Sequence, residues 1–215
     1  MRNLKGKLLI LLGILAVALA ATNSSPALTV PRAIAKREQT AVFGGGCFWG
    51  MQAVFEHVKG VNRVTAGYSG GSAERANYEA VSMGDTGHAE AVRITYDPTQ
   101  ITYSQLLKVF FSVAHDPTEL NRQGPDEGTQ YRSVIFYSDS QQRQVAQAYI
   151  NQLNQAKVFA TPIVTQVAPL HSFYKAESYH QDFAVTHPND SYIVINDLPK
   201  VARLRKELPE LYVAK

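Results

Sequence analysis

Apolar and polar positions along the 215-residue chain follow two rhythms, and each rhythm predicts an element. Thr40-Ala41-Val42-Phe43 is a short apolar run that stops at glycines, the pattern of a buried strand. Met51, Val54, Phe55 and Val58 then recur at the spacing of one helical face, with Gly60 as the expected stop. Cys47 therefore falls at or just before a helix N-terminus. Val61 to Tyr68 has the β-branched content of a strand and is broken by Ser69-Gly70-Gly71-Ser72, while Asn77 to Gly87 reads as loop. From Ala91 to Tyr96 the period is two: Val92, Ile94 and Tyr96 share one face, Arg93 and Thr95 the other, and Asp97-Pro98 ends the strand.

Ser104 is read as the cap of a second helix whose Leu106, Leu107, Phe110, Val113 and Ala114 form a broad apolar stripe ending near His115-Asp116-Pro117. A polar loop follows from about Thr118 to Gln130. Arg132 to Tyr137 is a strand, and Asp139 with Gln142 has the form of a capping box opening a helix that turns Val145, Ala146, Tyr149 and Leu153 inward. Ile163 to Val167 is a further strand. The first two strands after the first helix are joined by a loop, which argues against a sheet made only of parallel βαβ units. The expected fold class is α+β: a two-layer sandwich, a mixed β-sheet with helices packed on it, around a ferredoxin-like core.

Composition keeps this picture within soluble globular proteins: 45% hydrophobic and 18% charged residues, with 11 Tyr and 9 Phe. The net charge is only +3, and no run of Lys and Arg suggests a nucleic-acid partner. Arg2, Lys5 and Lys7 precede an apolar run from Leu8 to Ala21 that contains the small-x-small pattern Ala18-Leu19-Ala20, the parts of a secretory signal. At about 14 residues the run is shorter than the roughly 20 of a spanning helix, which leaves an uncleaved anchor as the alternative. Residues 1–21 are thus expected to be a signal peptide or membrane anchor, 22–39 a linker and 40–215 the folded domain. The expected location is outside the cytoplasm, periplasmic or secreted, or else anchored on the outer side of a bacterial inner membrane.

The chain has a single cysteine and a single tryptophan, adjacent in Gly44-Gly45-Gly46-Cys47-Phe48-Trp49-Gly50. No internal disulfide is possible, so the thiol is either a small buried hydrophobe or a reactive group. A helix N-terminus favours a thiolate through its free N–H groups and the positive end of the macrodipole. Phe48 and Trp49 suit an apolar wall for a small group. A phosphate loop lacks its Lys-Ser or Lys-Thr, and the six histidines show neither His-Glu-x-x-His nor a partner Cys-x-x-Cys. Cysteine-dependent acyl transfer with His88 or His180 as base, and a binding module without chemistry, remain open on these residues alone.

Gly-Cys-Phe-Trp-Gly closely resembles the active-site motif of the A-type peptide methionine sulfoxide reductases. Further blocks follow in register: Val64-Thr65-Ala66-Gly67-Tyr68-Ser69-Gly70-Gly71, Asn77-Tyr78-Glu79, Thr86-Gly87-His88-Ala89-Glu90-Ala91-Val92, Gly128-Thr129-Gln130-Tyr131-Arg132-Ser133 and Ala176-Glu177-Ser178-Tyr179-His180-Gln181. The resemblance runs from about Thr40 to the C-terminus and makes 40–215 a catalytic domain. It implies reduction of the S epimer of methionine sulfoxide, in proteins and as the free amino acid, in the service of protein repair. Carried over residue by residue, it implies Cys47 as nucleophile, Glu90 as acid, Tyr78 and Tyr131 as ligands of the sulfoxide oxygen, Asp126 as a further polar member, and Phe48 with Trp49 as the pocket for the methyl group.

Oxygen transfer would leave Cys47 as a sulfenic acid. Many relatives reduce it with a second cysteine, often near the C-terminus, and this chain has none. The resemblance then implies an external thiol: a thioredoxin-like protein, glutaredoxin or glutathione, or dithiothreitol in vitro. No bound cofactor or metal is expected. The expected partners are oxidised proteins and the thiol donor, and the protein is expected to act as a monomer.

Overall fold

The computed structural model describes residues 38–215. The apolar N-terminal run and most of the linker lie outside them. Among the described residues there are eight strands: β1 (Gln39–Gly44), β2 (Val61–Ser69), β3 (Ala89–Tyr96), β4 (Arg122–Gln123), β5 (Asp126–Glu127), β6 (Val134–Tyr137), β7 (Gln166–Pro169) and β8 (Phe173–Lys175). The α-helices are α1 (Phe48–Glu56), α2 (Tyr78–Ser82), α3 (Tyr103–Val109), α4 (Ser140–Gln155), α5 (Phe183–Thr186) and α6 (Leu198–Glu207).

Six strands form one sheet in the order β7-β6-β1-β3-β2-β8. Every pairing is antiparallel except β6 with β7, so the sheet is mixed, as the loop between the second and third strands predicts. Within it, β1-α1-β2-β3-α3-β6 with the strand order β6-β1-β3-β2 is the ferredoxin-like core. Ala41 and Phe43 of β1, Val92, Ile94 and Tyr96 of β3, and Ile135 of β6 face the main core, which is filled by α1, α3, α4 and α6. Val42, Ala89, Ala91, Val134 and Phe136 face the other way and are covered by Ala168, Leu170 and Phe173. For that reason the Arg93/Thr95 face of β3 is not a solvated one: Thr95 is buried and the Arg93 guanidinium lies 4.9 Å over the Phe173 ring.

Several boundaries differ from the reading of the sequence, each for a local reason. Asn77 to Gly87 is not all loop, because the Asn77 side chain accepts from the Ala80 N–H and caps α2. With only Val81 buried, this one-turn helix shows no apolar periodicity. α1 ends at Glu56, and Gly60 instead makes the turn into β2 with φ +85°. Thr102, not Ser104, caps α3: its hydroxyl accepts from the Gln105 N–H and Gln105 Oε1 accepts from the Thr102 N–H, a complete capping box. α3 then widens into a π turn over Phe110–Ala114, which continues the buried stripe. The box at Asp139 is half formed, since Asp139 accepts from the Gln142 N–H but the Gln142 amide serves Ser138 and Thr40. The fully buried positions of α4 are Gln142, Ala146 and Ile150, with Val145, Tyr149 and Leu153 flanking them.

The predicted strand at Ile163 to Val167 shifts to β7, because the Ile163 N–H goes to the Asn154 side chain and the Val164 N–H to the Pro117 carbonyl, outside any ladder. β6 starts two residues late because the Arg132 N–H is spent on the Thr129 carbonyl, closing the turn before it. The polar loop after Thr118 contains the β4-β5 hairpin, which turns at Gly124 with φ +56°.

His115 closes the π turn and is buried behind the glycine turn that follows β1. Nδ1–H donates to the Phe110 carbonyl at 3.0 Å, so Nε2 accepts from the Ser133 hydroxyl at 2.7 Å. Burial, ahead of the nearby Lys200 charge, lowers its pKa to about 4. The unfolded chain therefore takes up this proton first, and stability is lost as pH falls from 6.5 through about 4. Across that window urea unfolding of the wild type should lose about 3 kcal/mol more than that of His115→Gln. Parallel losses would show that His115 does not set the acid limb.

Candidate active site

The site forms where β1 gives way to α1. Gly46 has φ +89°, and a Cβ there would lie 2.6 Å from the Gln123 side chain, which is itself held by hydrogen bonds with the Asp116 backbone. The turn therefore needs glycine on both counts. Gly46→Ala should lower stability by about 1 to 2 kcal/mol through the backbone alone. A urea midpoint equal to that of the wild type would contradict this. The Gly46 N–H donates to the Tyr131 carbonyl at 3.1 Å, which ties the turn bearing Tyr131 to the one bearing Cys47.

Cys47 is the N-cap residue of α1, with its carbonyl accepting from the Met51 N–H. Its thiol is buried, 8% exposed for the whole residue. The expectation of a stabilised thiolate does not hold. Burial pushes the thiol pKa well above its usual value; the charges of Glu90, Asp197 and Asp126 add to this, and only the Trp49 N–H opposes it. The first free N–H of the helix, that of Phe48, is spent on Glu90 Oε2 at 3.0 Å instead of on sulfur. Near neutral pH the resting group is a thiol.

Glu90 lies on β3 opposite Tyr68 of β2 and is 3% exposed. Burial raises its pKa to about 8; the Phe48 N–H opposes the rise, and the charges of Asp126 and Asp197 add to it. Near neutral pH it is a carboxylic acid with one oxygen occupied by Phe48 and the other able to carry a proton. Tyr78 and Tyr131 belong to the same electrostatic cluster, their pKa values raised by burial and then by Glu90, with Cys47 and Asp126 contributing. Glu177 anchors Tyr78: its two oxygens accept from the Tyr78 N–H at 2.9 Å and the Tyr68 hydroxyl at 2.9 Å. Asp126, on β5, accepts from the Tyr192 hydroxyl at 2.5 Å. All seven residues singled out in the sequence thus lie in one cluster around Cys47.

Phe48 and Trp49 form the wall, and the structure shows what holds them. The Trp49 indole stacks on Phe183 at 3.8 Å between ring centroids and meets Tyr192 edge-on at 6.0 Å. Its Nε1–H donates to His180 Nδ1 at 3.2 Å, which fixes the imidazole tautomer. Phe48 packs between Tyr68 and His180. Phe183, Tyr192 and Asp197 were not assigned roles from the sequence, and His180, which stands inside a quoted family block, was singled out only as a base for acyl transfer. The histidines offered as bases for acyl transfer are otherwise engaged. His88 accepts from the Gly71 N–H and donates to the Ser72 carbonyl, and His180 Nδ1 is taken by Trp49.

The family "Peptide methionine sulfoxide reductase" matches residues 39–211 of the chain. A peptide methionine sulfoxide reductase MsrA 2 of Mesorhizobium japonicum is 58% identical over 177 residues, covering 82% of this chain and 91% of that protein. The corresponding protein of Synechocystis is 53% identical over 173 residues, 80% of this chain and 81% of its own. Among solved structures, reduced Mxr1 from Saccharomyces cerevisiae superposes with a TM-score of 0.65 at 30% identity, covering 71% of this chain and 87% of that one. Methionine sulfoxide reductase A of Corynebacterium diphtheriae gives 0.62 at 35% identity, with 70% and 76% covered. With the same residues gathered around Cys47, the chain belongs to the peptide methionine sulfoxide reductase family, oxidoreductases that return methionine sulfoxide in proteins to methionine.

Proposed function

We propose that the protein reduces the S epimer of methionine sulfoxide, with Cys47 as nucleophile and Glu90 as general acid. The observation that carries this reading is Glu90 itself, a buried acid still protonated near neutral pH and pinned by the first N–H of the helix that Cys47 caps. A sulfoxide oxygen is a poor leaving group until it is protonated. Glu90 supplies that proton while the Tyr78 and Tyr131 hydroxyls donate hydrogen bonds to the same oxygen, and Phe48 with Trp49 enclose the methyl group. Protonation of the oxygen leaves sulfur electron-poor, which draws the Cys47 thiol into attack as it gives up its own proton to restore Glu90. Oxygen passes to Cys47 and methionine leaves: sulfoxide and thiol in, thioether and sulfenic acid out.

With one cysteine in the chain, the sulfenic acid condenses with an external thiol, releasing water and forming a mixed disulfide. A second external thiol then displaces Cys47 as a free thiol. A thioredoxin-like dithiol supplies both in one molecule and is the donor class proposed here. Peptides carrying pure S- or R-sulfoxide, assayed with monothiol and dithiol donors, test the reading. S-sulfoxide should be consumed and R-sulfoxide left intact; equal consumption of both would overturn it.

A further inference from the structure

Asp197 is fully buried and has no place in the chemistry above. It ends a π turn, Ile193–Asp197, of the kind that often marks functional positions, and it is the residue before α6. One carboxylate oxygen, Oδ1, accepts from Lys200 Nζ at 3.1 Å, while Oδ2 is buried without a hydrogen-bond partner. The pair is wedged against the first turn of α1. A Cβ on Gly50 would lie 2.1 Å from Asp197 Oδ1 and 2.9 Å from Lys200 Nζ. Glycine is disfavoured inside a helix, and here it leaves the space that the carboxylate fills.

We propose that Asp197 is a positioning residue whose half-paired carboxylate, seated on the helix that Cys47 caps, holds Cys47 as a thiol until substrate arrives. The proposal rests on Cys47 being the reacting thiol. An underpaired negative charge in a site of low polarity disfavours a second negative charge nearby. The other groups that act on the same sulfur are Glu90 from β3 and Asp126 from β5, and the tyrosines that feel its charge are Tyr78, Tyr131 and Tyr192. Lys200 offsets Asp197 through Oδ1 and also acts on Asp126 and His115. Asp197 raises the Cys47 pKa directly, whereas Lys200 acts on Asp197. A chain with a single thiol gains from this arrangement, since a thiolate waiting without a partner is open to oxidation past the sulfenic stage.

The test is alkylation of Cys47 by iodoacetamide across pH, without substrate, read as adduct mass on the whole chain. In Asp197→Asn, which keeps the shape of the side chain, the midpoint of the profile should move down by about one pH unit. Alkylation below both midpoints should then be about tenfold faster. The double variant Asp197→Asn with Lys200→Gln leaves no unpaired cation and should shift in the same direction. Midpoints equal to the wild type in both variants would overturn the proposal, as would a shift that vanishes in the double variant and so belongs to the stranded lysine. The readout needs no turnover, so failure of this proposal and failure of the proposed reaction are seen separately.

Discussion

Cys47→Ser should reduce no sulfoxide, a fall on the order of 10⁴-fold or more, because the variant loses the group that accepts the oxygen. Serine is close in size, and a buried hydroxyl cannot become the sulfur acid that the cycle requires. No other thiol exists in the chain to substitute. Without reductant, the wild type should release one methionine for each Cys47 and stop, whereas the serine variant should release none. Mass spectrometry after trapping with a sulfenic-acid reagent checks both. Continued methionine release by the serine variant would remove Cys47 from the centre of the reaction.

Glu90→Gln should slow sulfoxide reduction by about 10² to 10⁴-fold, the range for a positioned general acid. Glutamine can still accept the Phe48 N–H and still donate a hydrogen bond to the oxygen, but it cannot transfer a proton. The substitution thus separates holding the oxygen from protonating it. In the wild type the rate should fall as pH rises through about 8, where Glu90 loses its proton, and in the variant this limb should be missing. An unchanged rate would remove Glu90 from its role.

The same substitution should stabilise the fold. The folded-state pKa of Glu90 is raised, from 4.5 to about 8. The contribution of Glu90 is therefore fully present below pH 4.5 and is lost up to about pH 8, as the unfolded chain releases a proton that the folded one keeps. Glutamine removes a penalty on the order of a few kcal/mol at pH 8, and melting temperatures of the two proteins at pH 5 and pH 8 measure it. An acid kept neutral in an apolar site works against the stability of the fold, a trade common where activity needs a strained or desolvated group.

Much of the fold was legible because the periodicities that encode it are local. β1, α1 and β3 each present an apolar pattern within ten residues, and β-branched Val61 to Tyr68 marks β2 in the same way. The misread segments are those whose backbone groups find distant or side-chain partners. α2 depends on one Asn77 cap, β7 starts late because Asn154 and Pro117 take the N–H groups before it, and the β4-β5 hairpin pairs only two residues on each side. None of these leaves an apolar rhythm. The site divides similarly. Cys47, Phe48 and Trp49 announce themselves by adjacency, and Glu90, Tyr78, Tyr131 and Asp126 through their likeness to a family. Tyr192 and Asp197 lie in a C-terminal stretch whose spacing says nothing of what it touches.

From the chain alone came the single thiol, and with it the need for an external reductant, since no fold can supply a second thiol that the sequence lacks. The order β1, α1, β2, β3, α3, β6, α4 also came from the chain. Whether that thiol rests charged or neutral did not. A helix N-terminus by itself argues for a thiolate, and the folded chain reverses this by burying the sulfur, giving the first N–H to Glu90 and bringing Asp126 and Asp197 nearby. Those carboxylates come from β3, β5 and the segment before α6, far apart in sequence. Only tertiary packing sets the desolvation and the sum of charges that decide the proton.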